Sequence, residues 1–60
     1  MRHYLYRIYN YDGGEEEILV GADTIKEADW ILSRDVTIMY FSYLDELTDQ
    51  EAEDSGLDEL

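Results

Sequence analysis

Carboxylates are the only chemistry this chain carries in quantity, and half of them fall in its last quarter. Asp45, Glu46, Asp49, Glu51, Glu53, Asp54, Asp58 and Glu59 make eight acids in the sixteen residues from Asp45 to Leu60, with no Lys, Arg or His among them. Carboxylates at that density can act as paired general acid and base, ligate a hard cation, or present negative charge to a cationic surface. The first use needs a pocket that drives two pKa values apart. A chain of 60 residues buries only about 60 % of its unfolded surface and has little room for such a pocket. The single histidine, His3, lies at the frayed N-terminus, and no cysteine or Gly-rich phosphate loop supplies a nucleophile or a nucleotide cradle. The chain is therefore expected to be non-catalytic and to need no cofactor.

The second use fails on geometry. A calcium loop of EF-hand type needs oxygen ligands at its first, third and fifth positions, Gly at the sixth and Glu at the twelfth. Counted from Asp49, the early ligands are present as Asp49, Glu51 and Glu53, but Asp54 stands in place of the glycine and Leu60 in place of the glutamate. The third use fits the spacing. As a continuous helix the tail would be about 24 Å long at ~1.5 Å per residue, or roughly one carboxylate per 3 Å. That is near the ~3.4 Å spacing of charges along one DNA strand.

Net charge narrows the partners. At −12, with only Arg2, Arg7, Lys26 and Arg34 as bases, the chain lacks the cations that neutralise phosphates, so direct binding to nucleic acid or to an anionic membrane is not expected. Residues 1–44 carry −4 and residues 45–60 carry −8, which divides the chain into a small domain and an acidic tail. The apolar runs are too short to cross a bilayer and no signal-peptide core is present. The chain reads as soluble and unexported, and the absence of cysteine fits a reducing cytoplasm. Terminal charge runs usually serve solubility, and acids adapted to high salt would be spread evenly. Here they gather in the tail and at Glu15, Glu16 and Glu17, which favours a directed surface.

The elements that must position these groups can be read from pattern. Residues 3–11 are rich in aromatic and β-branched types and alternate, with Tyr4, Tyr6 and Ile8 on one face and Leu5, Arg7, Tyr9 and Tyr11 on the other. Asp12-Gly13-Gly14 supplies a hairpin turn, and Glu15 to Gly21 returns as a second strand with Ile18 and Val20 on one side. Thr24 and Glu27 have capping-box spacing, opening a helix of about ten residues whose stripe is Ile25, Ala28 and Leu32, with Ile31 at its flank and Trp30 nearly opposite. Residues 35–44 read as a third strand, apolar on both faces: Val36, Ile38, Tyr40 and Leu44 on one, Met39, Phe41 and Tyr43 on the other. The predicted fold is α+β, a three-stranded antiparallel sheet in the order β-β-α-β with one helix on one face. A homodimer, the folded-back tail or a protein partner would each cover the second face. In the tail, Thr48 and Glu51 repeat the capping spacing and Ser55-Gly56 can stop a short second helix, with Leu47, Ala52 and Leu57 as the only apolar anchors. Carboxylate repulsion should keep this segment mobile unless a cationic partner arrives.

Trp30 has two readings. A lone Trp is often packed, here under Leu47 or Leu57, yet its wheel position beside Lys26 and Arg34 suits an exposed anchor, the role in which Trp is most enriched at interfaces. Tyr9, Tyr11 and Tyr43 are the tyrosines expected to face a partner, because their hydroxyls tolerate water.

A short, acidic, cysteine-free domain with a hairpin at Asp12-Gly13-Gly14, a capped helix from Thr24 and a third strand to Leu44 resembles the small inhibitors that bacteriophages direct at host proteins, and among them the DNA-mimic anti-CRISPR proteins. That resemblance implies occupation, by carboxylates, of the Lys and Arg channel in which a CRISPR effector subunit holds DNA, in the cytoplasm of an infected bacterial host. The partner-binding residues would be Glu15, Glu16, Glu17, Trp30, Asp45, Glu46, Asp49, Glu51, Glu53 and Asp54. Glu16-Glu17-Ile18-Leu19-Val20 is similar to the acidic-then-aliphatic strand edge of the phage uracil-DNA glycosylase inhibitors, although Glu17 stands where that class places a small polar residue. The contrasting expectation is a small dimeric module whose acids only solubilise it.

Overall fold

A computed structural model describes all residues 1–60. The chain forms β1 (Arg2–Asn10), β2 (Glu15–Ala22), α1 (Ile25–Ser33), β3 (Ile38–Leu47) and α2 (Asp49–Ser55). The strands make one antiparallel sheet in the order β2-β1-β3, so the expected α+β fold is the one observed.

The hairpin closes where the turn chemistry requires. Gly13 takes φ +91°, a region that costs an L side chain strain. The Asp12 carboxylate accepts from the Gly14 N–H at 2.8 Å, and the Asn10 N–H donates to the Gly14 carbonyl at 2.8 Å. The register that follows sets Tyr4 against Val20 and Tyr6 against Ile18. It places Tyr4, Tyr6 and Ile8 on one face with Ile18, Val20 and Ala22, and α1 closes that face with Ala28 and Leu32. Each buried side chain of this size contributes about 1.5–3 kcal/mol. Ile25, expected on the same stripe, is exposed at the first turn of α1. The Thr24 hydroxyl accepts from the Glu27 N–H at 3.1 Å, but Glu27 does not return the bond. The helix thus starts on half a capping box.

The third strand departs from the pattern in two ways. It begins at Ile38 rather than residue 35, because Asp35 caps its own turn: its carboxylate accepts from the Thr37 N–H at 2.9 Å and the Thr37 hydroxyl at 2.6 Å. Such a local side-chain turn outcompetes the β-propensity of Val36 and Thr37. It then runs to Leu47, so Asp45 and Glu46 are strand residues opposite Leu5 and Tyr4 rather than the start of the tail. Within the strand, Met39 and Leu44 are extra residues at two register shifts. Each bulge reverses the alternation. Ile38 and Phe41 therefore pack against the same core, and Tyr43 joins them edge-on to Tyr6 at 5.7 Å, where strict alternation separates Ile38 from the other two.

The tail covers part of the second face. Its helix α2 has a complete capping box between Thr48 and Glu51 and ends at Gly56 with φ 68°, as the spacing predicts. Its three apolar anchors, Leu47, Ala52 and Leu57, are its half-buried residues while every other tail residue is exposed. Leu19, on the face away from α1, is buried beneath this return. The chain end then runs along β2: the Leu19 N–H donates to the Asp58 carbonyl at 2.9 Å, the Leu60 N–H to the Leu19 carbonyl at 2.8 Å, and the Gly21 N–H to the Leu60 carbonyl at 3.1 Å. No helix is long and apolar enough to cross a membrane.

Candidate functional site

The acids lie at the surface. Fourteen of the sixteen acids are exposed, Asp29 and Asp35 are half-buried, and no charged residue is buried. The continuous helical rod does not form, because only Asp49–Ser55 is helical and the chain turns back after Gly56.

Strand alternation divides the Glu15, Glu16, Glu17 trio. Glu15 and Glu17 share a face with Arg7, whose guanidinium lies 3.6 Å and 2.8 Å from their carboxylates. Two of the three charges are thus partly neutralised within the chain. Glu16, opposite Ile8, faces the other way, into an open cleft of about 650 Å³ that it lines with Ile8, Ile18, Ile38, Asp12, Asp35 and Asp58. Hydrogen bonds from the Thr37 hydroxyl and N–H hold the Asp35 carboxyl below its ordinary pKa. No three His, Cys, Asp or Glu side chains anywhere converge in a metal-ligating group. Ile18, Leu19 and Val20 are all buried, which leaves no aliphatic edge on β2 beside Glu16 and Glu17.

At the other end of the sheet, Glu46 lies 3.9 Å from Arg2 and the Asp45 carboxylate accepts from the Glu46 N–H at 2.8 Å. Partial burial, then the nearby charges of Asp45 and Glu46, raise the Tyr43 hydroxyl pKa. On α2, Glu51 is held by the cap, Asp54 accepts from Gln50 at 3.0 Å, and Glu53 is exposed and unpaired. Asp45 and Glu46 on β3 and the acids of α2 follow one another at one end of the sheet, whereas Glu15, Glu16 and Glu17 stand beside the hairpin turn at the other.

Trp30 is 58 % exposed, with the Arg34 guanidinium 4.6 Å above its ring. Of its two readings the exposed one holds, because Leu47 and Leu57 pack toward the opposite face of the sheet. Tyr11 is exposed, Tyr43 is divided between solvent and the aromatic core, and Tyr9 is half-buried against Tyr40, its ring centroid 5.3 Å away.

Two features escaped sequence reasoning. His3 is not a frayed end. Its Nδ1 lies 2.5 Å from Glu59 and its Nε2 2.7 Å from Asp49, so both ends of the returning tail close on one imidazole. Hydrogen bonds to Glu59 and then Asp49 raise its pKa. A lone His in a chain of −12 was the available signal. The second feature is the outer edge of β3, where Met39, Tyr40, Tyr43 and Leu44 are all exposed. Its signal was the run Val36–Leu44, which holds no charged residue.

Fold and surface together define a small α+β protein with an acidic exterior, a self-anchored tail and one uncovered sheet edge. No family model matches the chain, and neither a curated protein nor a solved structure is significantly similar to it.

Proposed function

We propose that this chain is a non-catalytic inhibitor that offers a DNA-like array of carboxylates to the nucleic-acid-binding surface of a basic protein, a CRISPR effector subunit in the cytoplasm of an infected bacterium. The observation that supports this reading is the disposition of charge: acids outnumber bases four to one and nearly all are exposed, so the exterior repels nucleic acid and attracts the proteins that bind it. Fixing α2 between its cap and His3 adds to the argument. A preordered acidic surface loses less conformational entropy on binding than a mobile tail would. Charge of this kind governs encounter rate and register more than final affinity. Exposed Trp30 supplies the desolvated anchor.

The test is capture of partners by the tagged protein from a bacterial lysate carrying CRISPR effectors and repair enzymes, at low and high salt, followed by competition with DNA. A basic DNA-binding protein released by salt and displaced by DNA is the expected result. Capture that is insensitive to both overturns the proposal.

A further inference from the structure

We propose that the free edge of β3 is a strand-addition site for an extended segment of a basic protein, apolar at its centre and carrying Lys or Arg at both ends. The inference rests on the partner class proposed above and adds where on this chain such a partner is gripped.

The two edges of the sheet are treated differently. The β2 edge is occupied by the chain's own residues Asp58 to Leu60, which bond to Leu19 and Gly21. The β3 edge has no neighbour. Of the usual guards of an open edge, this strand has bulges but no Lys, Pro or inward charge, since no residue from Val36 to Leu44 is charged and the chain has no proline. Met39 and Tyr40 are each 58 % exposed and Tyr43 and Leu44 each 42 %. The bulges at Met39 and Leu44 bracket a regular stretch, Tyr40–Tyr43, roughly 13 Å long at ~3.3 Å per residue. That stretch sets the length of ladder a partner can form.

Charge selects the occupant. Asp35 precedes the uncharged run and Asp45 and Glu46 follow it, so an incoming strand meets apolar and aromatic side chains in its middle and carboxylates at its ends. A second copy is the wrong partner, because antiparallel pairing about Phe41 would bring Asp35 of each chain beside Asp45 and Glu46 of the other. Each of those chains carries −12, so such a pair assembles against like charge. A strand with basic ends instead meets attraction at both, from Asp45 and Glu46 past one end, Glu46 shared with Arg2, and from Asp35 past the other, where it also holds Thr37. Main-chain bonds then give affinity and the ends give direction, as in other strand-addition complexes.

The probe is a synthetic seven-residue peptide, Lys-Thr-Val-Tyr-Val-Thr-Lys, compared with the same peptide ending in Glu and with a backbone N-methylated form, by titration into isotope-labelled protein. The Lys-ended peptide should shift the amides of Tyr40 to Tyr43, bind at least tenfold more tightly than the Glu-ended one, and lose binding on N-methylation. Introducing Met39→Pro with Leu44→Pro, at the two bulges, where proline is tolerated, should abolish the shifts without changing the charge and leave the circular dichroism unchanged. Shifts outside β3, equal binding of both peptides, or a free protein that sediments as a dimer with β3 amides protected would overturn the proposal. The same double variant separates it from the function above. A partner held by charge alone binds this charge-neutral variant as well as the wild type, which sinks the edge and leaves the mimic. Peptide binding without any DNA-competed partner does the reverse.

Discussion

The imidazole Nε2 of His3 sits 2.7 Å from the Asp49 carboxylate, tying the first strand to a helix 46 residues further along the chain. With Nδ1 on Glu59, His3 sets one intramolecular base against two tail carboxylates, where the sequence pattern called for a cationic partner. Because the tail buries only Leu19 fully and half-buries its own three anchors, the latch matters more here than it would over a large core.

Its pH dependence follows from the sign of the shift. The folded His3 pKa is raised above 6.5 by Glu59 and Asp49, so the folded state favours the imidazolium. The stabilisation is fully present below about 6.5 and is lost as pH rises through the higher folded value. Protection factors of the Leu19, Gly21 and Leu60 amides should be highest below about pH 6.5 and fall as pH rises through the folded His3 value, and His3→Ala should lower them most at the acidic end of that window. A His3 titration midpoint at or below 6.5 by NMR would show that the latch is not charged.

Tyr6 should be the most sensitive position in the core. It is fully buried, packs edge-on to Phe41 at 5.7 Å, and its hydroxyl donates to Asp29 on α1. Burial, then Asp29, raises its pKa. Tyr6→Phe leaves the ring packing intact and should cost about 1–2 kcal/mol in urea unfolding, while Tyr6→Ala should cost about 3–5 kcal/mol. A smaller loss for Ala than for Phe would contradict the assigned packing.

The tail helix depends on its two ends. Thr48→Ala removes the hydroxyl that accepts from Glu51 at 3.2 Å and should weaken α2 by about 1 kcal/mol. Gly56→Ala meets no steric neighbour but must hold φ +68°, at about 1–2 kcal/mol. Both losses should appear as faster exchange at Leu19 and Leu60 and leave Tyr4 and Tyr6 protected.

Trp30→Ala should separate stability from binding. The side chain lies outside the core, so unfolding should change by no more than about 1 kcal/mol, the worth of an exposed cation–π contact. Affinity for the captured partner should fall by about 2 kcal/mol or more, roughly thirtyfold. A large stability loss would return Trp30 to a structural role.

Arg7→Ala should speed partner association at low salt. It frees Glu15 and Glu17 from the guanidinium and makes the net charge one unit more negative. Stopped-flow rates should rise at low ionic strength and converge with the wild type at high salt. Equal rates throughout would place this face away from the partner.

Local rules were enough for the order of elements. Alternation located Tyr4, Tyr6 and Ile8 in the core, adjacent glycines closed the hairpin, and the Thr48 and Glu51 spacing with Gly56 bounded α2, because each depends on neighbours a few residues apart. Where β3 begins is local too, since Asp35 draws Val36 and Thr37 into a turn from two residues away, against their β-propensity. Which way its side chains face and what the tail does depend on distant partners: two bulges against β1 bring Ile38, Phe41 and Tyr43 to one side. The histidine that looked frayed meets two carboxylates at sequence separations of 46 and 56. Periodicity carries no information across such distances. Composition shows how many charges the chain has, and the folded backbone sets which of them cancel within it and which are left for a partner.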